Sequence, residues 1–149
     1  MGVAIRQAVE GDVEAIARIL GEVDAYYGGE NEPADETQVR VALFDEPASA
    51  AVLLAVDGAM VVGLASFSRL WPAGGADTSM YLKELFVAES ARGRGVGARL
   101  LDAVKDAAAD AGCSRLEWTG DTDNPTALGF YQKLGVPVNP SKVFYRLPL

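Results

Sequence analysis

The chain has no histidine and a single cysteine among its 149 residues. The first absence removes the commonest general base, any histidine-containing triad and the usual zinc ligand. The second excludes an internal disulfide. Cys113 falls between a helix end and a strand, and it reads as a buried, inert thiol rather than a nucleophile. An all-oxygen Mg²⁺ or Ca²⁺ site is left open, but no loop carries its signature, and no metal ligand is assigned. Long apolar runs are also missing: nothing approaches the ~20 residues that span a bilayer, and the start lacks a basic stretch followed by an apolar core. We therefore expect a cytoplasmic protein with no membrane contact. Cations are scarce, with 13 Lys and Arg against 21 acids and a net charge of −8. Residues 1–50 hold eleven acids and three arginines, which accounts for the whole imbalance. A nucleic-acid partner requires a basic face, so none is expected. Glu22, Asp24, Glu30, Glu32, Asp35 and Glu36 form a run without one cation. It reads either as a solvated surface or as an entrance that attracts a cationic substrate.

What is present suits one domain over residues 1–149, since half the residues are apolar and the length supports a real core. Residues 3–8 alternate weakly, as a short strand does. Asp12 is placed to cap a helix whose face carries Val13, Ile16, Ala17, Leu20 and Val23, ended by Tyr26-Tyr27-Gly28-Gly29. A second helix is predicted over 36–44, stopped by Pro47. Residues 50–56 and 60–70 read as strands joined at Asp57-Gly58. A loop at 71–77 leads to a strand over 81–87. Beyond it, Val96, Leu100, Leu101, Val104, Ala107, Ala108 and Ala111 recur at helical spacing before Gly112. Strands at 114–119 and 143–147 and a helix over 127–134 complete the pattern. Three consecutive strands should pair antiparallel, and the strand–helix–strand unit that follows needs a parallel crossover.

Between the strand at 81–87 and the long helix stands Arg92-Gly93-Arg94-Gly95-Val96-Gly97. Amides at a helix start lack internal partners, the helix dipole favours an anion there, and glycines let the backbone approach it. Arg92, Arg94 and Arg99 add cations with no acid among them. A phosphate site is expected. A nucleoside-triphosphate loop would need Gly-Lys-Ser/Thr, which is absent. A dinucleotide site fits Gly93-x-Gly95-x-x-Ala98 with Glu117 downstream, but the motif comes after several strands instead of the first, and too few residues follow for the remaining parallel strands.

Arg-x-x-Gly-x-Gly at 92–97, the strand ending Leu85-Phe86-Val87, and Asn124…Ala127…Phe130-Tyr131…Leu134-Gly135 together resemble the GNAT superfamily of N-acetyltransferases. The order of elements resembles that fold too. The resemblance implies an α/β (α+β) domain: a mixed sheet of about six or seven strands, flanked by about four helices, whose central strands splay to form a cleft for acetyl-CoA. The pyrophosphate would rest on the amides of Arg92, Gly93, Arg94, Gly95, Val96 and Gly97. The pantetheine arm would pair with Leu85, Phe86 and Val87, with Asn124, Ala127 and Tyr131 forming the other wall. A backbone N–H near Phe86 or Val87 would stabilise the oxyanion. Tyr131 would be the general acid for the departing thiolate, and Glu84 the base, with Glu117 or a water relay in reserve.

The acceptor pocket of the resembling family draws on the first two helices, the loop before the central strand and the last strands. Here these supply Tyr26, Tyr27, Trp71, Tyr145 and the acid run, with Glu84 beside them. Acids and aromatic faces suit a cation, so the implied acceptor is a small cationic amine or a lysine or N-terminal amine. Trp118 and Asn124-Pro125 look loosely like the diamine acetyltransferase branch, although that branch often carries adjacent acids where this chain has Lys83-Glu84. Direct transfer in a ternary complex is implied, and a homodimer is admitted because dimers are common in the family. The rival readings are a non-catalytic acyl-CoA-binding or regulatory domain of the same fold and a dinucleotide-binding protein.

Overall fold

A computed structural model describes residues 2–149. The chain divides after Trp118 into two compact units. The first is organised by one sheet of five strands in spatial order β1-β2-β3-β4-β5, where β1 is Val3–Gln7, β2 Ala51–Asp57, β3 Met60–Leu70, β4 Ser79–Val87 and β5 Arg115–Glu117. The first four pair antiparallel; β5 pairs parallel to β4. Asp57 faces Met60 across the two-residue turn at Gly58, as the Asp-Gly signal predicts. The expected mixed α/β class holds. The strand number does not: five strands form among the described residues, and 143–147 is not one of them.

Three helices flank this sheet: α1 over Val13–Tyr26, α2 over Glu36–Phe44 and α3 over Val96–Asp110. Because side chains alternate across a strand, the strands feed two cores. Val3, Ala55, Ala65, Phe67, Met80 and Leu82 bury against Leu100, Leu101 and Val104 of α3. On the other face Val52, Leu54, Leu64 and Phe86 bury against Ile16 and Ile19 of α1 and Val39 of α2. β3 serves both cores, which explains its nearly unbroken apolar run from Met60 to Phe67.

Asp12 stands at the head of α1 but does not cap it with its side chain. Its carboxylate instead accepts from the Val9 amide at 2.8 Å and from both terminal nitrogens of Arg6 at 2.8 and 2.9 Å. The Arg6 hydrogen bonds hold the Asp12 carboxyl below its ordinary range against the opposing effect of burial. The chain between α1 and α2 folds back along α1. Ala34 N–H donates to Ala17 O at 2.9 Å, and a Cβ on Gly21 would come within 2.5 Å of Glu32 O, so only glycine admits this approach. Cys113 is half-buried against the α3 core rather than fully buried.

The second unit contains α4, Pro125–Lys133. Asn124 Oδ1 accepts from Ala127 N–H at 3.2 Å and Pro125 occupies the first turn, the expected N-cap arrangement. Gly135, at φ +75°, follows the helix. From residue 136 onward there is no helix or strand. No helix among the described residues is long and apolar enough to cross a membrane.

Candidate active site

β4 is the element on which the first unit's candidate residues converge. Its pairing with β3 carries a bulge: Ser66 faces Glu84 and Phe67 faces Leu82, leaving Lys83 as the extra residue. The consequence is a change of face. Leu82 belongs to the α3 core, and after the bulge Leu85 and Val87 pack there too, while Phe86 enters the α1 core. Alternation therefore places Glu84 on the Phe86 side, away from the α3 core. Glu84 is half-buried, and Lys83 is exposed. Without the extra residue Glu84 would share the apolar α3 face with Leu82.

β5 accompanies β4 only from Ser79 to Tyr81, where Tyr81 faces Glu117. β4 then runs on for six residues to Val87 without it. β5 itself ends at Glu117. β4 ends in a short turn, Glu89–Ala91, followed by the glycine segment. Gly93 and Gly95 both sit at φ +74°, the left-handed region that L-residues avoid, and Gly95 is the N-cap of α3. The first helical bond of α3 runs from Arg99 N–H to Gly95 O at 3.1 Å. The amides of Val96, Gly97 and Ala98 thus precede the helical ladder, at the positive end of a 15-residue helix.

The three arginines here have different duties. Arg92 donates from Nε to Val87 O at 2.8 Å, and its guanidinium lies 5.2 Å from the ring centre of Tyr26 and 5.5 Å from that of Phe86. Tyr26 meets Phe86 edge-on at 6.1 Å and Tyr27 at 5.1 Å. Arg92 thereby ties the glycine segment to the end of β4 and to the last residue of α1. Arg94 is the cation left on the segment's surface, half-exposed and 3.2 Å from Asp57. Arg99, counted with them in the sequence, donates to Val3 O at 2.6 Å and fastens α3 to β1.

The acceptor candidates do not gather at one place. Tyr26 and Tyr27 lie at the Phe86 end of β4. Trp71 belongs to the loop at the other end, where Leu70 faces Ser79, and its indole N–H donates to Ala76 O at 2.9 Å. Seven residues of strand separate Ser79 from Phe86, about 23 Å at ~3.3 Å per residue. In the acid run, Glu22 pairs with Arg18 at 2.8 Å and Asp35 caps α2 through Gln38 N–H at 2.9 Å. Asp24, Glu30, Glu32 and Glu36 are exposed. Glu117, the reserve base, is exposed and pairs with Arg115 at 3.1 Å.

In the second unit Tyr131 lies on α4, half-buried, with its ring 5.2 Å from that of Phe130; Asn124 and Ala127 form the helix's first turn. Two features of the first unit were not anticipated: the bulge at Lys83 and the Tyr26–Phe86–Arg92 cluster. The former has a signal in Lys83-Glu84, two consecutive polar residues between Leu82 and Leu85 that break the alternation. The latter joins residues 60 and more apart, which no local pattern connects.

The family model described as the acetyltransferase (GNAT) family matches residues 16–136. The chain belongs to this family. This acetyltransferase is 31% identical over 144 residues to the thialysine N-epsilon-acetyltransferase of Bos taurus, covering 89% of this chain and 83% of that one. It is 33% identical over 79 residues to the L-ornithine N5-acetyltransferase NATA1 of Arabidopsis thaliana; that match spans 53% of this chain and only 35% of the plant enzyme's length. Among solved structures, an integron cassette protein from the mobile metagenome of V. cholerae superimposes with a TM-score of 0.86 at 33% identity, over 99% of this chain and 93% of the other. The enzyme is accordingly an acyltransferase whose relatives act on amines.

Proposed function

We propose that this acetyltransferase moves the acetyl group of acetyl-CoA directly to a primary amine borne by a small cationic molecule. The observation that carries the proposal is the pair of left-handed glycines, Gly93 and Gly95, that presents the α3 amides beyond the end of β4. Such a turn suits a pyrophosphate, and Arg94 supplies a cation beside it. The length of β4 not accompanied by β5 suits an extended pantetheine arm, which would pair with Leu85, Phe86 and Val87. Asn124, Ala127 and Tyr131 are assigned to cofactor binding on the family resemblance.

In the reaction a neutral amine attacks the thioester carbonyl. A carbon–nitrogen bond forms, the carbon–sulfur bond breaks, and the amine gives up one proton. We assign that proton to Glu84, directly or through water, because the bulge turns Glu84 away from the α3 core and Glu117 is held by Arg115. A backbone N–H near Phe86 or Val87 would stabilise the oxyanion. Tyr131 then protonates the departing thiolate. A cationic acceptor is supported by Tyr26, Tyr27 and the exposed acids near α1, and by the amine substrates named for the bovine and plant relatives. Trp71 is assigned to the acceptor on the family resemblance alone.

Thermal-shift titration with acetyl-CoA, CoA and NAD tests the cofactor. Acetyl-CoA at ~100 times its dissociation constant should add about 2.7 kcal/mol of stability, CoA should behave alike, and NAD should do nothing. Stabilisation by NAD alone would overturn the cofactor assignment. With a cationic amine, thiol release should fall at least tenfold in Tyr131→Phe while acetyl-CoA binding persists; unchanged turnover would remove Tyr131 from its role.

A further inference from the structure

The glycine turn after β4 is costly to hold in one arrangement. Gly93 and Gly95 are both left-handed and exposed, and glycine gives up more conformational freedom on ordering than any other residue. Arg92 opens the segment and supplies a tether. Its amide donates to Glu89 O at 3.3 Å, and its side chain reaches back from Nε to Val87 O at 2.8 Å, closing residues 87–92 into a loop. That side-chain bond lies at the surface, where water competes for both partners. Two aromatic rings lie against the guanidinium, at 5.2 Å for Tyr26 and 5.5 Å for Phe86. They are held differently. Phe86 is 7% exposed and belongs to the α1 core. Tyr26 is 43% exposed and is the last residue of α1, a helix fixed by the fully buried Ile16 and Ile19. Its backbone is therefore fixed, and its ring meets Arg92 without filling the core.

We propose that Tyr26 is a positioning residue for the cofactor turn: its ring keeps the Arg92 guanidinium on Val87 O and so sets the backbone of Gly93 and Gly95. The inference rests on the acetyl-CoA reading above and adds a residue to it. The family resemblance puts Tyr26 with the acceptor; the contact with Arg92 gives it a part in cofactor binding before any acceptor is present. A cation is drawn to an aromatic face, more strongly where water is kept from it. Without the ring, the guanidinium returns to water and the bond to Val87 O opens more often. The turn then spends part of its time in arrangements whose amides no longer converge. A ligand that needs the converged form binds with an affinity reduced by the fraction of time that form is absent. Tyr26 touches none of the turn's glycines in sequence, so it acts through Arg92 alone.

Calorimetric titration of the full chain with acetyl-CoA, and with CoA, in the absence of any amine tests this. Tyr26→Leu should raise both dissociation constants about fivefold, while Tyr26→Phe, which keeps the ring, should stay within about twofold of the wild type. In an Arg92→Lys background, which lacks the guanidinium and its Nε, Tyr26→Leu should have no further effect. Binding is read well below the melting temperature, so a loss of global stability alone does not move it. Equal affinities of Tyr26→Leu and the wild type would overturn the inference. So would an undiminished effect in the Arg92→Lys background, or a loss in Tyr26→Phe as large as in Tyr26→Leu, which would trace the effect to the hydroxyl. A wild-type chain that binds neither acetyl-CoA nor CoA would overturn the cofactor reading itself, and this inference with it. Should Tyr26→Leu not fold, Tyr26→Gln, which also lacks the ring and suits an exposed helix end, takes its place.

Discussion

Asp12 gathers three hydrogen bonds, from Val9 N–H and both Arg6 terminal nitrogens, while only 9% exposed. Its carboxyl is depressed chiefly by the Arg6 hydrogen bonds. A depressed folded value means that the stabilisation is fully present above the ordinary carboxylate range and is lost as the pH falls through the folded value. Asp12→Asn should therefore lower stability by about 1 kcal/mol at pH 7, with Arg6 half-exposed and partly screened. The gap should close as the solution is acidified below the ordinary carboxylate range. Urea midpoints of the two proteins at pH 7 and in strong acid measure it, and a gap unchanged by pH would show that packing rather than charge is lost. Residues of this kind were only partly legible in the sequence. Position 12 was recognisable as a capping site from its residue type and place. Its actual partners were not, because Arg6 lies on the preceding strand and meets it only once that strand pairs with β2. Arg99 is a parallel case: its sequence neighbours suggested a phosphate, and its distance to Val3 O shows a fold contact.

At the scale of elements, what the chain encodes locally was readable and what it encodes by pairing was not. The helix over 36–44 and the strand over 60–70 fall where predicted, since each has a start, a stop and a period of its own. The glycine turn was equally readable, because positive φ at Gly93 and Gly95 leaves a compositional trace. The bulge at Lys83 arises from register with β3, and the ladder at β5 stops after three pairs; neither is written in one strand. Residues 143–147 show the same limit, having the propensity for a strand yet forming none. α4 offers a test of local encoding. It buries no residue fully, so its first turn depends on Asn124 Oδ1 and on Pro125. Asn124→Ala should cost about 1 kcal/mol, and Asn124→Asp nearly nothing, since a carboxylate also caps and suits the helix dipole. Amide exchange across α4 reports this: faster exchange in the alanine variant alone is expected. Equal exchange in all three proteins would show that packing of the helix, not its cap, holds it.

For the whole molecule the decisive quantity is charge and its placement. Under the proposed function the cofactor acetyl-CoA is a polyanion and the chain carries −8, so its approach to the glycine turn would be opposed at long range and favoured by the local amides and Arg94. A cationic amine meets the opposite field, with the excess acids concentrated in residues 1–50, where α1 and α2 lie. Salt shortens the reach of both effects, to about 8 Å at physiological ionic strength and ~3 Å at 1 M. The two substrates should therefore respond with opposite signs. Between low and high salt, kcat/KM for the amine should fall several-fold at saturating acetyl-CoA, while KM for acetyl-CoA should fall at saturating amine. Replacing Glu30 and Glu32 with glutamine should flatten the amine's salt dependence and leave the acetyl-CoA curve unchanged, because both side chains are exposed and neither neighbours the glycine turn in sequence. An amine curve indifferent to salt would mean that contact chemistry inside the site selects the acceptor, and that the acids on α1 and its following loop serve only as solvated surface.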